Sequence, residues 1–161
     1  MNIRHAKSHE IPALIEIYDN ARLYMRENGN LTQWNNGYPN ATVLYDDIKK
    51  KQLYVCEENS EILGVFCYFE GIDPTYTKIY NGNWIDEDHV GVMHRVAVAV
   101  HRKGVASFCY DYCFNISKNI RIDTHRDNIP MQRSLIKNGF KYCGIIYLAN
   151  GEKRWAYQKI K

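Results

Sequence analysis

The sequence predicts an α/β protein of the mixed (α+β) kind, a central twisted sheet of parallel and antiparallel strands flanked by helices. Three observations carry this. The stretch 89–124 reads as a strand, a tight turn, a helix and a second strand, a succession that implies a parallel pair joined by a crossover. Two β-rich runs before it, 52–57 and 61–70, and two after it, 141–148 and 153–160, read as antiparallel hairpins. Amphipathic helical segments stand between them.

Taken in order, a first strand begins at Asn2. From Ser8, read as a helix cap, Ile11, Leu14, Ile15, Tyr18, Arg22 and Met25 recur at helical spacing, and Asn28-Gly29 ends the pattern. Leu31 to Asn40 has no periodicity, and Thr42 to Lys51 is a second short helix. The first hairpin turns at Glu58-Asn59-Ser60. Gly71 to Asp88 is polar and aromatic and is expected to be a functional loop, because length without regular structure needs a reason. The central strand runs from His89 to Val100, and Val105, Phe108, Cys109, Tyr112, Cys113 and Ile116 follow at helical spacing. The crossover strand is Ile120 to Thr124, Asn128 to Lys137 is a fourth helix closed by Asn138-Gly139, and Asn150-Gly151 turns the last hairpin.

At 161 residues the chain is expected to form a single domain, 1–161. A hydrophobic fraction of 45% with 24% charged residues excludes disorder, and no apolar run reaches the roughly 18 residues of a spanning helix. The expected compartment is the cytoplasm, with no membrane partner. A formal charge of +3 is too small for a nucleic-acid footprint. Cys56, Cys67, Cys109, Cys113 and Cys143 lack CxxC spacing and lie among apolar neighbours, so reduced core thiols are expected and no metal site.

The segment that carries chemistry is Arg95-Val-Ala-Val-Ala-Val-His-Arg-Lys-Gly-Val-Ala106. A strand that breaks at a glycine turn and leads straight into a helix presents unpaired N–H groups at the positive end of the helix dipole, which suits an anion. Gly104 allows close approach of a phosphate, and Arg102 and Lys103 add positive charge. An ordinary strand-to-helix turn reads the same from this stretch alone.

A second segment, Asn128-Ile-Pro-Met-Gln-Arg-Ser-Leu-Ile-Lys-Asn-Gly-Phe140, follows the crossover strand. Together the two resemble the GNAT superfamily of N-acetyltransferases, whose pattern is Gln/Arg-x-x-Gly-x-Gly/Ala at the turn and then an Asn-led helix ending Lys-x-Gly-Phe. His101 to Ala106 is similar to the first and Asn128 to Phe140 to the second, and the order of elements fits over nearly the whole chain. The resemblance implies a GNAT-like acyl-CoA N-acyltransferase fold, acetyl-CoA as cosubstrate, and direct attack of a neutral amine on the thioester through a tetrahedral intermediate. It places the pantetheine arm along Val96, Ala97 and Val98, with an N–H near Val96 at the oxyanion. It places the phosphates on His101, Arg102, Lys103, Gly104, Val105, Ala106 and Ser107, and puts Asn128 beyond the thioester.

Three residues depart from the family pattern. His101 stands where Gln or Arg is usual, Leu135 where many members carry a tyrosine that protonates the thiolate, and Met131 where a small residue is usual. Tyr142, Tyr110 or water is left as the thiolate's acid. An inactive CoA-binding regulatory module is therefore the alternative reading. The amine reaches the site protonated, so a base is required; His94, His125 and Glu70 are the candidates. Trp34, Tyr38, Tyr76 and Trp84 are candidates for the acceptor pocket. The acceptor is expected to be a small-molecule amine or a peptide or protein amino group, with a homodimer left open.

Overall fold

The computed structural model describes residues 1–101 and 103–161. Among them, seven strands form one sheet in the order β1-β2-β3-β4-β5-β7-β6, with four α-helices on its two faces. The strands are β1 (Asn2–His5), β2 (Leu53–Glu58), β3 (Glu61–Glu70), β4 (Gly91–Val98), β5 (Asn119–Thr124), β6 (Lys141–Tyr147) and β7 (Lys153–Ile160). Every neighbouring pair is antiparallel except β4 and β5, which are parallel. The mixed sheet expected from the sequence is the one observed.

β3 is buried without a break from Leu63 to Tyr68 because helices cover both its faces, so it reads as a continuous apolar run. The turn before it is tighter than expected. Asn59 and Ser60, at φ 52° and 63°, make a two-residue connection of left-handed residues that matches strand twist, and Glu58 belongs to β2. The last hairpin is longer than two residues: Gly151 N–H donates to Leu148 O, Leu148 N–H donates to Glu152 O, and only Gly151 is left-handed.

α1 (Ile11–Glu27) buries Leu14, Ile17, Tyr18 and Met25, and α2 (Ala41–Lys49) buries Leu44; both cover the face carrying Leu53, Val55, Val65 and Ala97. Ser8 does not cap α1. It begins a short 3-10 turn, in which the Glu10 carboxylate accepts from Lys7 N–H. α3 (Val105–Ser117) and α4 (Ile129–Lys137) cover the opposite face, where Cys109, Tyr110, Cys113 and Leu135 pack on Phe66, Met93, Ile120 and Ile122. Gly64 permits α3 to sit this close, since a Cβ there would lie 2.8 Å from Val105 Cγ1. All five cysteines are buried free thiols. No helix among the described residues is long and apolar enough to cross a membrane.

The 71–90 segment is pinned to the sheet. A 3-10 turn at Pro74–Tyr76 buries Tyr76 against Val92, Ile146 and Ala156, and Tyr80 bridges Ile145 of β6. Gly82 lies so close to β6 that an added Cβ would fall on the Cys143 carbonyl. Gly82→Ala is therefore expected to lower unfolding stability by roughly 1–3 kcal/mol in denaturant titration, because the clash is with backbone that cannot rotate away.

An ion pair ties β1 to its surroundings. Arg4 grips both Glu10 oxygens at 2.9 and 2.7 Å and reaches Glu57 of β2 at 3.1 Å. The Arg4 hydrogen bond, opposed by burial, takes the Glu10 pKa from its ordinary 4.5 to about 2. A carboxyl with a depressed folded pKa contributes stability above its unfolded value and loses it as pH falls through the folded one. Arg4→Ala should thus cost about 1 kcal/mol at neutral pH. The variant should also lose less stability than the wild-type protein as pH falls from 4.5 to about 2, measured by denaturant titration across that window.

Candidate active site

β4 and β5 pair only at Gly91 with Ile120 and at Val92 with Arg121, and then part. A cleft of about 610 Å³ opens between them, with His94, Arg95 and Val96 on one wall and Ile122, Asp123 and Thr124 on the other. Its remaining walls come from the α1–α2 connection (Gln33, Trp34, Tyr38), from α4 and from the β6–β7 hairpin. The parting also leaves one edge of β4 without a strand partner. Ala99 N–H donates to Leu63 O of β3, so by alternation the N–H groups of Val98 and Val96 point toward the cleft.

β4 is bulged where it borders the cleft. The register against β3 shifts between Val65 and Cys67, and Arg95 is left-handed at φ 52°. The extra residue breaks side-chain alternation. Met93, Val96 and Val98 all pack toward α3, while Ala97 packs toward α1 and α2. Val96 and Val98 thus lean on the α3 side, and Ala97 is buried on the other face.

α3 begins directly beyond β4. Gly104 is its N-cap at φ 70°, and no side chain caps the helix. Phe108 N–H closes the first helical bond on Gly104 O, and the N–H groups of Val105, Ala106 and Ser107 have no partner among the described residues. The space around Gly104 is open, since a Cβ there would meet nothing within 4 Å. Lys103 is exposed beside it. His101 stacks on Tyr24 of α1 with ring centroids 4.0 Å apart, and Arg102 lies outside the described residues. Asn128 caps α4, accepting from Met131 N–H at 3.2 Å while donating to Gln33 Oε1 at 3.1 Å, so its side chain is spent on the protein itself.

Of the three histidine and glutamate candidates, His94 lies in the cleft. Its Nε2 is 2.5 Å from Asp73 Oδ2, and Nδ1 faces Asp123 Oδ2 at 3.9 Å, beyond hydrogen-bond reach. Asp73 is itself fixed, its Oδ1 accepting from Thr75 N–H at 2.8 Å and from the Thr75 hydroxyl at 2.7 Å. Burial pushes the Asp73 carboxyl up, but the His94 contact and the two Thr75 bonds outweigh it and hold the pKa at about 2. The acid therefore stays ionised and accepts the Nε2 hydrogen, and Nδ1 is the ring nitrogen turned toward Asp123. Asp123 Oδ2 accepts from Tyr76 at 2.5 Å, whereas among the described residues Oδ1 has only Arg154 Nε at 4.0 Å.

His125 joins other partners. Asp127 N–H donates to its Nδ1 at 3.0 Å, so Nε2 carries the hydrogen toward Thr32 Oγ1 at 3.1 Å. Burial, helped by Arg154, lowers its pKa and favours this neutral form. Glu70 pairs opposite Gly91 and accepts from the Tyr68 hydroxyl at 3.3 Å; it lines an adjoining depression of about 890 Å³ with Glu87 and Arg121, not the cleft with His94. Trp34 and Tyr38 line the cleft. Tyr76 is buried beneath it, and Trp84 donates to Tyr76 O while its ring covers the Arg121 guanidinium at 4.3 Å. Tyr110 is buried with its hydroxyl on Met131 Sδ at 3.3 Å, Tyr142 packs on Trp155 and Tyr157, and Leu135 is fully buried.

Asp73 and Asp123 were not anticipated. Asp73-Pro74-Thr75 carried a usable signal, since Asp before Pro with a hydroxyl residue next favours a side-chain-capped turn. Asp123 carried a weaker one, an acid near the end of a short strand in which apolar and polar residues alternate.

The whole chain resembles solved structures. A GNAT-family acetyltransferase from Streptococcus agalactiae 2603 is 31% identical and superposes with a TM-score of 0.90 over 99% of this chain and 95% of its own. The chain belongs to the GNAT family of acetyltransferases. A putative acetyltransferase from Staphylococcus aureus Mu50 is 24% identical with a TM-score of 0.72, covering 99% of each chain. The PaiA N-acetyltransferase of Thermoplasma acidophilum, solved in complex with coenzyme A, shares the fold at 14% identity and a TM-score of 0.70, over 99% of this chain and 98% of its own. No family model and no curated protein matches the sequence. Membership in the GNAT family makes the protein an acyltransferase, and the resemblance read from the turn at Gly104 and the helix from Asn128 agrees with it.

Proposed function

We propose that the protein moves the acetyl group of acetyl-CoA to a primary amine by direct attack in the cleft between β4 and β5, with His94 as the base. The observation that carries this reading is the placement of His94. It precedes the bulge where the strands part, and Asp73 holds its Nε2 so that Nδ1 is left to accept a proton. When bound, acetyl-CoA supplies an activated acetyl thioester.

The residues present fit such a cosubstrate at two places. The open first turn of α3 offers the N–H groups of Val105, Ala106 and Ser107 to a diphosphate, with Gly104 leaving room for close approach. The unpaired edge of β4 offers Val96 and Val98 N–H groups to an amide-bearing arm, and Val96 is the donor nearest the bulge for an acyl oxygen. Asn128, with its side chain engaged in capping α4, serves through the shape of the cleft wall.

The amine reaches the cleft as an ammonium ion. Asp123 Oδ1, free of any hydrogen bond among the described residues, faces it with negative charge, and His94 Nδ1 takes its proton. Asp73 stabilises the imidazolium that results. Trp34 and Tyr38 wall the acceptor side, and the buried Tyr76 holds Asp123 in place. His125 and Glu70, with partners elsewhere, do not act on the amine. The thiolate leaves without a tyrosine at Leu135, and the second proton that the amine nitrogen gives up as the tetrahedral intermediate collapses passes to the departing sulfur, directly or through water.

The test measures thiol release from acetyl-CoA over a panel of small amines and peptides, alongside coenzyme A binding by calorimetry. Binding with turnover of at least one amine is expected. Binding without turnover of any amine would replace this reading with the inactive coenzyme A-binding module, and absence of binding would defeat both.

A further inference from the structure

We infer that the Asp47–Arg95 ion pair, with the hydroxyls of Tyr18 and Tyr38, is a positioning device that clamps Arg95 in the left-handed conformation of the β4 bulge and so sets how His94 and Val96 face the cleft. The inference rests on the reaction proposed above and adds Asp47, Tyr18 and the Arg95 side chain, none of which is placed against the amine or the cosubstrate, while Tyr38 belongs to both the clamp and the acceptor wall.

A left-handed φ of 52° within a strand is adverse for any residue with a Cβ, and Arg95 has a long side chain besides. Such a conformation persists only where the surroundings over-determine it. Here three separate segments do so. Asp47 of α2 receives Arg95 Nε at 3.0 Å and Nη2 at 2.8 and 2.7 Å. Tyr38 of the α1–α2 connection accepts from Nη1 at 2.9 Å, and Tyr18 of α1 donates its hydroxyl to the Arg95 carbonyl at 2.7 Å. The guanidinium is left with little donor capacity for a substrate, which argues against a direct binding role although it borders the cleft.

The pair is costly to bury, with side chains only 15% and 7% exposed. Burying two charges returns little net stability, so the pair is better accounted for by the conformation it enforces. That conformation has a definite consequence. In a regular strand Met93 and Val96 would point to opposite faces, yet both pack toward α3, and His94 and Arg95 are brought side by side on the cleft. Without the bulge, either His94 or the Val96 N–H would turn away. Tyr38 also walls the acceptor side, so the clamp ties that wall to the strand bearing the base.

Glycine separates a clamp from every other role of Arg95, because it adopts a positive φ without penalty while removing the same side chain as alanine does. The comparison uses Arg95→Ala and Arg95→Gly, each combined with Asp47→Asn so that no carboxylate is left buried and unpaired. The alanine variant is expected to lose roughly 100-fold in kcat, the scale of a misplaced reacting group, with the amine KM changed much less. The glycine variant should recover at least tenfold over alanine. Independently of turnover, the Val96 and Val98 amide signals in 1H–15N spectra should shift in the alanine variant and move back toward wild-type positions in the glycine variant. Equal activity of the two, or amides that stay in place in the alanine variant, would overturn the clamp. A wild-type protein inactive toward every amine would instead sink the proposed function, and the amide comparison would still decide the bulge.

Discussion

His94→Ala is expected to lower kcat/KM for the acceptor amine by about 10²–10³ at neutral pH while coenzyme A binding stays within about twofold of wild type. The size follows from the base's task. An alkyl ammonium of pKa about 10.4 is almost wholly protonated at neutral pH, so an enzyme lacking a proton acceptor must wait for the rare free amine. The deficit should therefore shrink as pH rises toward 10, where the amine deprotonates unaided. Asp73→Asn should show a smaller loss of roughly tenfold, since His94 remains but its tautomer and orientation are no longer dictated by a fixed carboxylate. Initial rates with the best amine of the panel, measured from pH 6 to 10, check both. A pH-independent deficit in His94→Ala would show that the imidazole does something other than accept this proton.

The second large effect is expected at the start of α3. Gly104→Glu should weaken coenzyme A binding at least 100-fold with the fold intact, because it sets a carboxylate beside the N–H groups that would receive a diphosphate. Gly104→Ala is the necessary comparison. At φ 70° any Cβ is strained by about 1 kcal/mol, but the added methyl meets open space, so this variant should bind within about tenfold of wild type. The difference between the two then separates the carboxylate-bearing side chain from the backbone strain that both share. Calorimetric titration with coenzyme A and a thermal melt of each variant measure it. Equal affinity of the glutamate and alanine variants would remove the phosphate from this turn.

The two sites differ in how they could be read from the chain. Gly104 was legible because its role is local: a β-rich run, a turn residue that tolerates positive φ, and a helical repeat lie next to one another, and uncapped amides follow from the absence of a capping side chain. His94 was legible only as one of three candidates. What separates it from His125 and Glu70 is the company each keeps: His94 meets Asp73 across 21 residues, and His125 meets Thr32 across 93.

By itself, the sequence determined the succession of strands and helices, the antiparallel hairpins, the parallel junction of β4 with β5 and the anion-receptive turn, all of which follow from periodicity and turn chemistry among near neighbours. Only the tertiary structure decided the parting of β4 from β5 beyond Val92, the bulge at Arg95 and its clamp by Asp47, and the union of Asp73, His94 and Asp123 in one cleft. Those depend on the register between distant segments. A shift of one residue along β4 would leave every local propensity unchanged and point a different side chain at the reacting groups.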